Sequence, residues 1–132
     1  MAQHGRFLRV ENTTRNQLIA AQCAVADTFG SRLRGLMGRT TLEPGHGLLI
    51  LPEWSIHTFF MRFAIDVIFL STDYTVLKVR EAMPPNLPYA GAWGAHAVLE
   101  LPAGVIAATG TQAGDQLHLS PATVPDEPHP PA

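Results

Sequence analysis

The sequence predicts a mainly β (α+β) fold: a small curled antiparallel sheet or barrel of about seven strands, with one or two short helices packed on it. Three observations predict it. Short apolar or alternating runs recur along the chain and are separated by clusters of Asn, Asp, Gly and Pro. Only one extended segment, DTFGSRLRGLMGRT, carries apolar residues at helical spacing. Strands and helices do not alternate in the β-α-β manner, and neither glycine fingerprint of a nucleotide-binding sheet occurs.

Residues 6–10 alternate weakly and meet Asn12-Thr13-Thr14, which marks a first strand. Residues 17–26 form a second, after the turn Thr14-Arg15-Asn16. Phe29, Leu33, Leu36 and Met37 then fall at i, i+4, i+7 and i+8, one face of a helix over 28–38. Asp27 or Thr28 can cap its start and Gly38 can close it, while Arg34 and Arg39 suit the negative end of the helix dipole. Gly30 and Gly35 weaken this helix, so packing must hold it. After the turn at Glu43-Pro44-Gly45, HGLLILP reads as a buried strand ended by Pro52. Residues 55–70 and 76–80 are further strands, joined through the polar turn Ser71-Thr72-Asp73-Tyr74. A proline- and glycine-rich loop follows over 83–94, then a strand over 95–101, a helical turn between Pro102 and Gly110, and a last strand over 116–120.

A chain of 132 residues is long enough for one domain with its own core. Residues 1–120 are expected to form it, and the proline-rich tail 121–132 is expected to be disordered. The lone Cys23, in IAAQCAVA, allows no internal disulfide and reads as a buried, inert thiol. The net charge of −2 argues against nucleic acid as a partner. Charge is unevenly spread: residues 1–39 hold six arginines against Glu11 and Asp27, a balance of +4, and the remainder has a balance of −6. Two solvated faces account for this. No secretory signal and no apolar run of about 18 residues occur, so a cytoplasmic protein without a membrane span is expected.

The stretch SIHTFFMRFAIDVIFL sets His57, Arg62 and Asp66 among apolar neighbours. On one straight strand Arg62 and Asp66 would share a face yet stand about 13 Å apart. A buried charge left alone costs several kcal/mol. A bend near Phe63-Ala64, or partners brought from the 28–38 helix and Glu100, is therefore expected. Asp66 is either a turn-fixing carboxylate or a general base. His57 is either a satisfied core residue or an acid–base group. Ser55 and Thr58 lack the surroundings of a nucleophile. Six histidines are present without metal-ligand spacing, so no metal and no cofactor are expected. Trp54, Trp93, Tyr89 and Phe60 either border a pocket or pack on the core.

The ordered strings RLRGLMGR, HGLLIL, SIHTFFMRFAIDVIFL, VLELPAG and AGDQL resemble the DUF192 (UPF0127) family over Phe7 to about Ser120. The resemblance implies a small, mainly β domain and no established activity. The family pattern falls on Gly35, Leu36 and Met37; on His57, Thr58, Met61 and Arg62; on Ile65 and Asp66; and on Glu100, Leu101, Pro102, Ala103 and Gly104. This chain has Ala64 where the family usually has proline, and no cysteine at Pro52-Glu53-Trp54, where relatives often carry one.

Three functions follow. The first is a binding module that holds a small polar ligand or peptide through Arg34, His57, Arg62, Asp66 and Glu100, since arginine's fork suits a carboxylate or phosphate. The second is a protein-interaction domain whose buried charges are structural. The third is a hydrolase with Asp66 or His57 as general base and Arg62 as electrophilic partner. The binding module ranks first, because no nucleophile or metal signature supports an enzyme.

Overall fold

Residues 65–70, IDVIFL, are buried at every position. A strand covered on one face would alternate, so this one is covered on both. The computed structural model describes residues 7–59 and 61–122. Among these the chain forms β1 (Phe7–Asn12), β2 (Gln17–Ala26), α1 (Phe29–Arg34), β3 (His46–Ile50), β4 (Ser55–Ile56), β5 (Ile65–Leu70), β6 (Val76–Met83), β7 (Ala90–Gly91), β8 (Ala97–Pro102), α2 (Val105–Thr109) and β9 (Leu117–Pro121).

Seven strands make one curled sheet in the order β6-β5-β8-β3-β2-β1-β9, and β4 pairs with β7 in a separate two-stranded ribbon. The sheet is a half-barrel. Its edges approach at one end, where Thr75 bridges Gln116 and Val76 N–H donates to the Asp115 carbonyl at 2.8 Å. One face collects Val10, Cys23, Leu49, Ile68, Leu99, Leu101 and Leu117, with Ile106 of α2 packed among them. The other collects Leu48, Ile50, Ile65, Val67, Phe69 and Val98, covered by Leu36, Met61 and Ala90 from α1's exit, the 57–64 turn and β7. Burial of Cys23 pushes its thiol up to about 12, so it stays protonated and packs as a small hydrophobe.

The mainly β class holds, with three corrections. Strands β2 and β3 pair in parallel, Gln22 opposite His46 through Ala26 opposite Ile50. One β-α-β crossover therefore exists, and its short, glycine-containing α1 hides the usual signal. That helix ends at Arg34 because Gly35 takes a φ of +49°. The helical phase breaks there, so Leu36 is buried but Leu33, expected on the same face, is 61% exposed. Thr28 caps α1 through a reciprocal box with Ser31. Finally, the loop expected over 83–94 contains β7, and the last strand, expected over 116–120, is Leu117–Pro121. Residues 123–132 of the expected tail lie outside those described.

Candidate functional site

The polar stretch does break. Ser55–Ile56 pairs with β7, residues 57–59 and 61–64 lie outside any strand, and β5 begins at Ile65. Thr58 anchors the turn. Its buried hydroxyl donates to the Pro84 carbonyl and accepts from Leu87 N–H, both at 2.7 Å. This fastens the 84–88 loop beneath the ribbon.

Asp66 and Glu100 lie one register step apart in the β5–β8 ladder. Asp66 faces Leu101, and Val67 faces Glu100. Because side chains alternate, the two carboxylates point to opposite faces of the sheet. Asp66 is on the α2 face. Its Oδ1 accepts from Ala82 N–H at 2.8 Å, and its Oδ2 accepts from Gly104 N–H at 3.1 Å and Ile106 N–H at 2.8 Å. The Ala82 donor is presented by a bulge in β6, where Ala82 takes a φ of +48°. Asp66 thus ties a sheet edge to the start of α2, whose N-cap Gly104 has no side chain to do so. The expected convergence of Arg62 with Asp66 is not found among the described ion pairs. Three backbone amides replace it, and Arg62 is exposed.

Glu100 is on the other face, 3% exposed, between Leu48 on β3 and Val67 on β5. Its Oε1 is buried and has no hydrogen-bond partner. Burial pushes its carboxyl up to about 8, so at neutral pH it holds its proton. It lines a cavity of about 290 Å³ under α1, with Arg32, Arg34, Glu53, His57, Met61 and Tyr89 among the other lining residues. Arg32 donates through Nη1 to the Pro52 carbonyl at 3.2 Å, but its Nε is buried and unpartnered. His57 is exposed at the wall, and its Nδ1 accepts from Phe59 N–H at 3.2 Å, which leaves Nε2 as the donor.

Of the residues expected to act together, Arg34, His57 and Glu100 share this cavity, while Arg62 and Asp66 do not line it. Arg32 and Glu53 were not in the expected set. Nothing local in the sequence set Arg32 apart from Arg34; its bond to the Pro52 carbonyl, 20 residues away, brings it to the cavity. No group of three or more His, Cys, Asp or Glu able to hold a metal occurs among the described residues.

The DUF192 family model, described as "Uncharacterized ACR", matches residues 10–119. The chain belongs to the DUF192 family. A UPF0127 protein of Thermococcus sibiricus is 37% identical to this DUF192 chain over 112 residues, which is 80% of this chain and 71% of that one. The crystal structure of a protein of unknown function from Novosphingobium aromaticivorans has a TM-score of 0.73 at 25% identity, covering 85% of this chain and 83% of that one. A crystal structure from Sinorhizobium meliloti has a TM-score of 0.77, covers 90% of this chain and 96% of that one, and at 22% identity shows the fold alone. No helix among the described residues is long and apolar enough to cross a membrane.

Proposed function

We propose that this DUF192 protein is a binding module that holds a small polar ligand in the cavity under α1, through Arg32, His57 and Glu100, with Arg34 at its rim. One observation carries the reading. Two buried polar atoms, the Arg32 Nε donor and Glu100 Oε1, lack partners, and both belong to residues that line the same cavity. Each such orphan costs about 1–3 kcal/mol, more if charged. A ligand that offers one acceptor and one donor recovers both. The mixed lining of two arginines, a histidine and two glutamates matches a group that both gives and accepts hydrogen bonds. Asp66 has no part in the proposal, because its oxygens already serve three amides.

A thermal-shift screen against polar metabolites tests this. A ligand at 100-fold excess over its Kd stabilises the native state by about 2.7 kcal/mol. The expected hits raise the melting temperature of the parent protein and fail with Glu100→Leu and Arg32→Met. Hits that stabilise both variants as much as the parent bind elsewhere, and the reading falls.

A further inference from the structure

Beside the cavity lies a second recess, of about 640 Å³, bordered by Trp54, Tyr89 and Trp93. Trp93 is 98% exposed, Tyr89 58% and Trp54 54%. Three large aromatics left in water on one continuous surface forgo burial that most folds would use. Trp54 and Tyr89 are nonetheless held in place. Trp54 and Tyr89 meet edge to face with centroids 6.0 Å apart, and Ala92 N–H donates to the Trp54 carbonyl at 3.1 Å. Gly91 has no room for a Cβ, which would sit 2.8 Å from Tyr89 Oη and 3.0 Å from the Trp54 carbonyl oxygen. Tyr89 borders both recesses, so the aromatic shelf is continuous with the polar cavity.

We infer that the ligand is a saccharide, with one sugar ring in the Arg32–Glu100 cavity and the next stacked on the shelf of Trp54, Tyr89 and Trp93. The inference rests on the cavity being the ligand site. Every sugar hydroxyl both donates and accepts, so adjacent hydroxyls satisfy Glu100 Oε1 and Arg32 Nε together without bringing in a charge. A small carboxylate would accept from Arg32 and from the protonated Glu100, but it brings no apolar face to the aromatic rings. A simple cation would be repelled by the Arg32 guanidinium. The C–H face of a sugar ring is flat and apolar and covers an indole, while its hydroxyl edge stays wet. A proline-rich peptide would also cover aromatic rings, but it brings no hydroxyl to the orphan pair.

The chain's two tryptophans, Trp54 and Trp93, both border the shelf, so intrinsic fluorescence reads it directly. The full chain is titrated with gluco-, chito-, xylo- and malto-oligosaccharides, with their monosaccharides, and with a proline-rich decapeptide. Small amides and amino acids are run in parallel as cavity probes by thermal shift. In the expected result one oligosaccharide series shifts the emission and binds about tenfold more tightly than its monosaccharide. Trp93→Ala removes that gain and keeps monosaccharide binding, and Glu100→Leu weakens both. Trp93 is so exposed that its loss leaves folding intact, which keeps the comparison interpretable. If small polar probes bind in a Glu100-dependent way and no saccharide does, the inference fails and the cavity reading stands. If saccharides bind with no effect of Glu100→Leu, the cavity reading fails and takes this inference with it. Binding of the decapeptide alone overturns the saccharide.

Discussion

Asp66 and Glu100 occupy neighbouring rungs of the same strand pair and are equally hidden from water, yet their circumstances are opposite. Asp66 meets three backbone amides from the β6 bulge and the start of α2. Glu100 is flanked by Leu48 and Val67 and keeps an orphan oxygen in an open cavity. A buried acid that has collected its donors is part of the scaffold. A buried acid left without them, beside a cavity that the half-satisfied Arg32 also lines, is the basis of the proposed ligand site. Burial alone does not separate these cases; the partner inventory does.

The sharpest way to break the comparison is to remove the Asp66 carboxylate. Asp66→Ala strands three N–H groups, of which that of Ile106 is buried and those of Ala82 and Gly104 are part-buried, at about 1–3 kcal/mol each, so a loss of at least about 3 kcal/mol is expected in urea unfolding at pH 7. An unchanged midpoint would show that α2 does not depend on this carboxylate.

Next comes Glu100→Gln, where the sign depends on pH. Between the ordinary value of 4.5 and about 8, the unfolded chain has released this proton and the folded chain still holds it. Stability from this group therefore falls as pH rises across that window, by up to about 1.4 kcal/mol per unit. Glutamine does not titrate. The variant should match the parent near pH 5 and exceed it at pH 9 by on the order of 3 kcal/mol, since water in the open cavity relieves part of the full cost. Paired urea curves at pH 5, 7 and 9 check this, and a constant offset would mean that Glu100 ionises freely in the fold.

The smallest effect concerns a third buried acid, Asp115. Burial pushes its carboxyl up, but bonds from Arg15 Nε at 2.7 Å, Asn12 Nδ2 at 3.0 Å and Gln112 N–H at 3.1 Å outweigh this and hold it below the usual range. Its contribution is thus present above the unfolded value of 3.8 and lost as pH falls through the lower folded one. Arg15→Met should cost about 1–2 kcal/mol at pH 7, and the gap should narrow toward pH 3. A gap that widens in acid would place Asp115 with Glu100 rather than with Asp66.

Most elements were legible because their signals are local. Strand β2 has its expected bounds, and the turn at Thr14-Arg15-Asn16 stands where expected. The break inside 55–70 followed from the cost of isolated charge, although backbone amides rather than Arg62 answer that cost for Asp66. Strands β4 and β7 were illegible because two residues carry no period. The exposure of Leu33 was hidden by a periodicity that ignores the helix end at Gly35. Arg34, His57 and Glu100 lie at one cavity, but the inward turn of Arg32 depends on the Pro52 carbonyl across from it.

By itself, then, the order of residues determined the β class, the turns and the set of ionisable groups that would be hard to bury. These depend on interactions between residues close along the chain, which any reader of periods and breakers can follow. Which acid is satisfied and which is left facing a cavity was decided only when β3, β5 and β8 became neighbours. Donors such as Ile106 N–H come from 40 residues away, and alternation across a shared ladder then sends adjacent rungs to opposite faces.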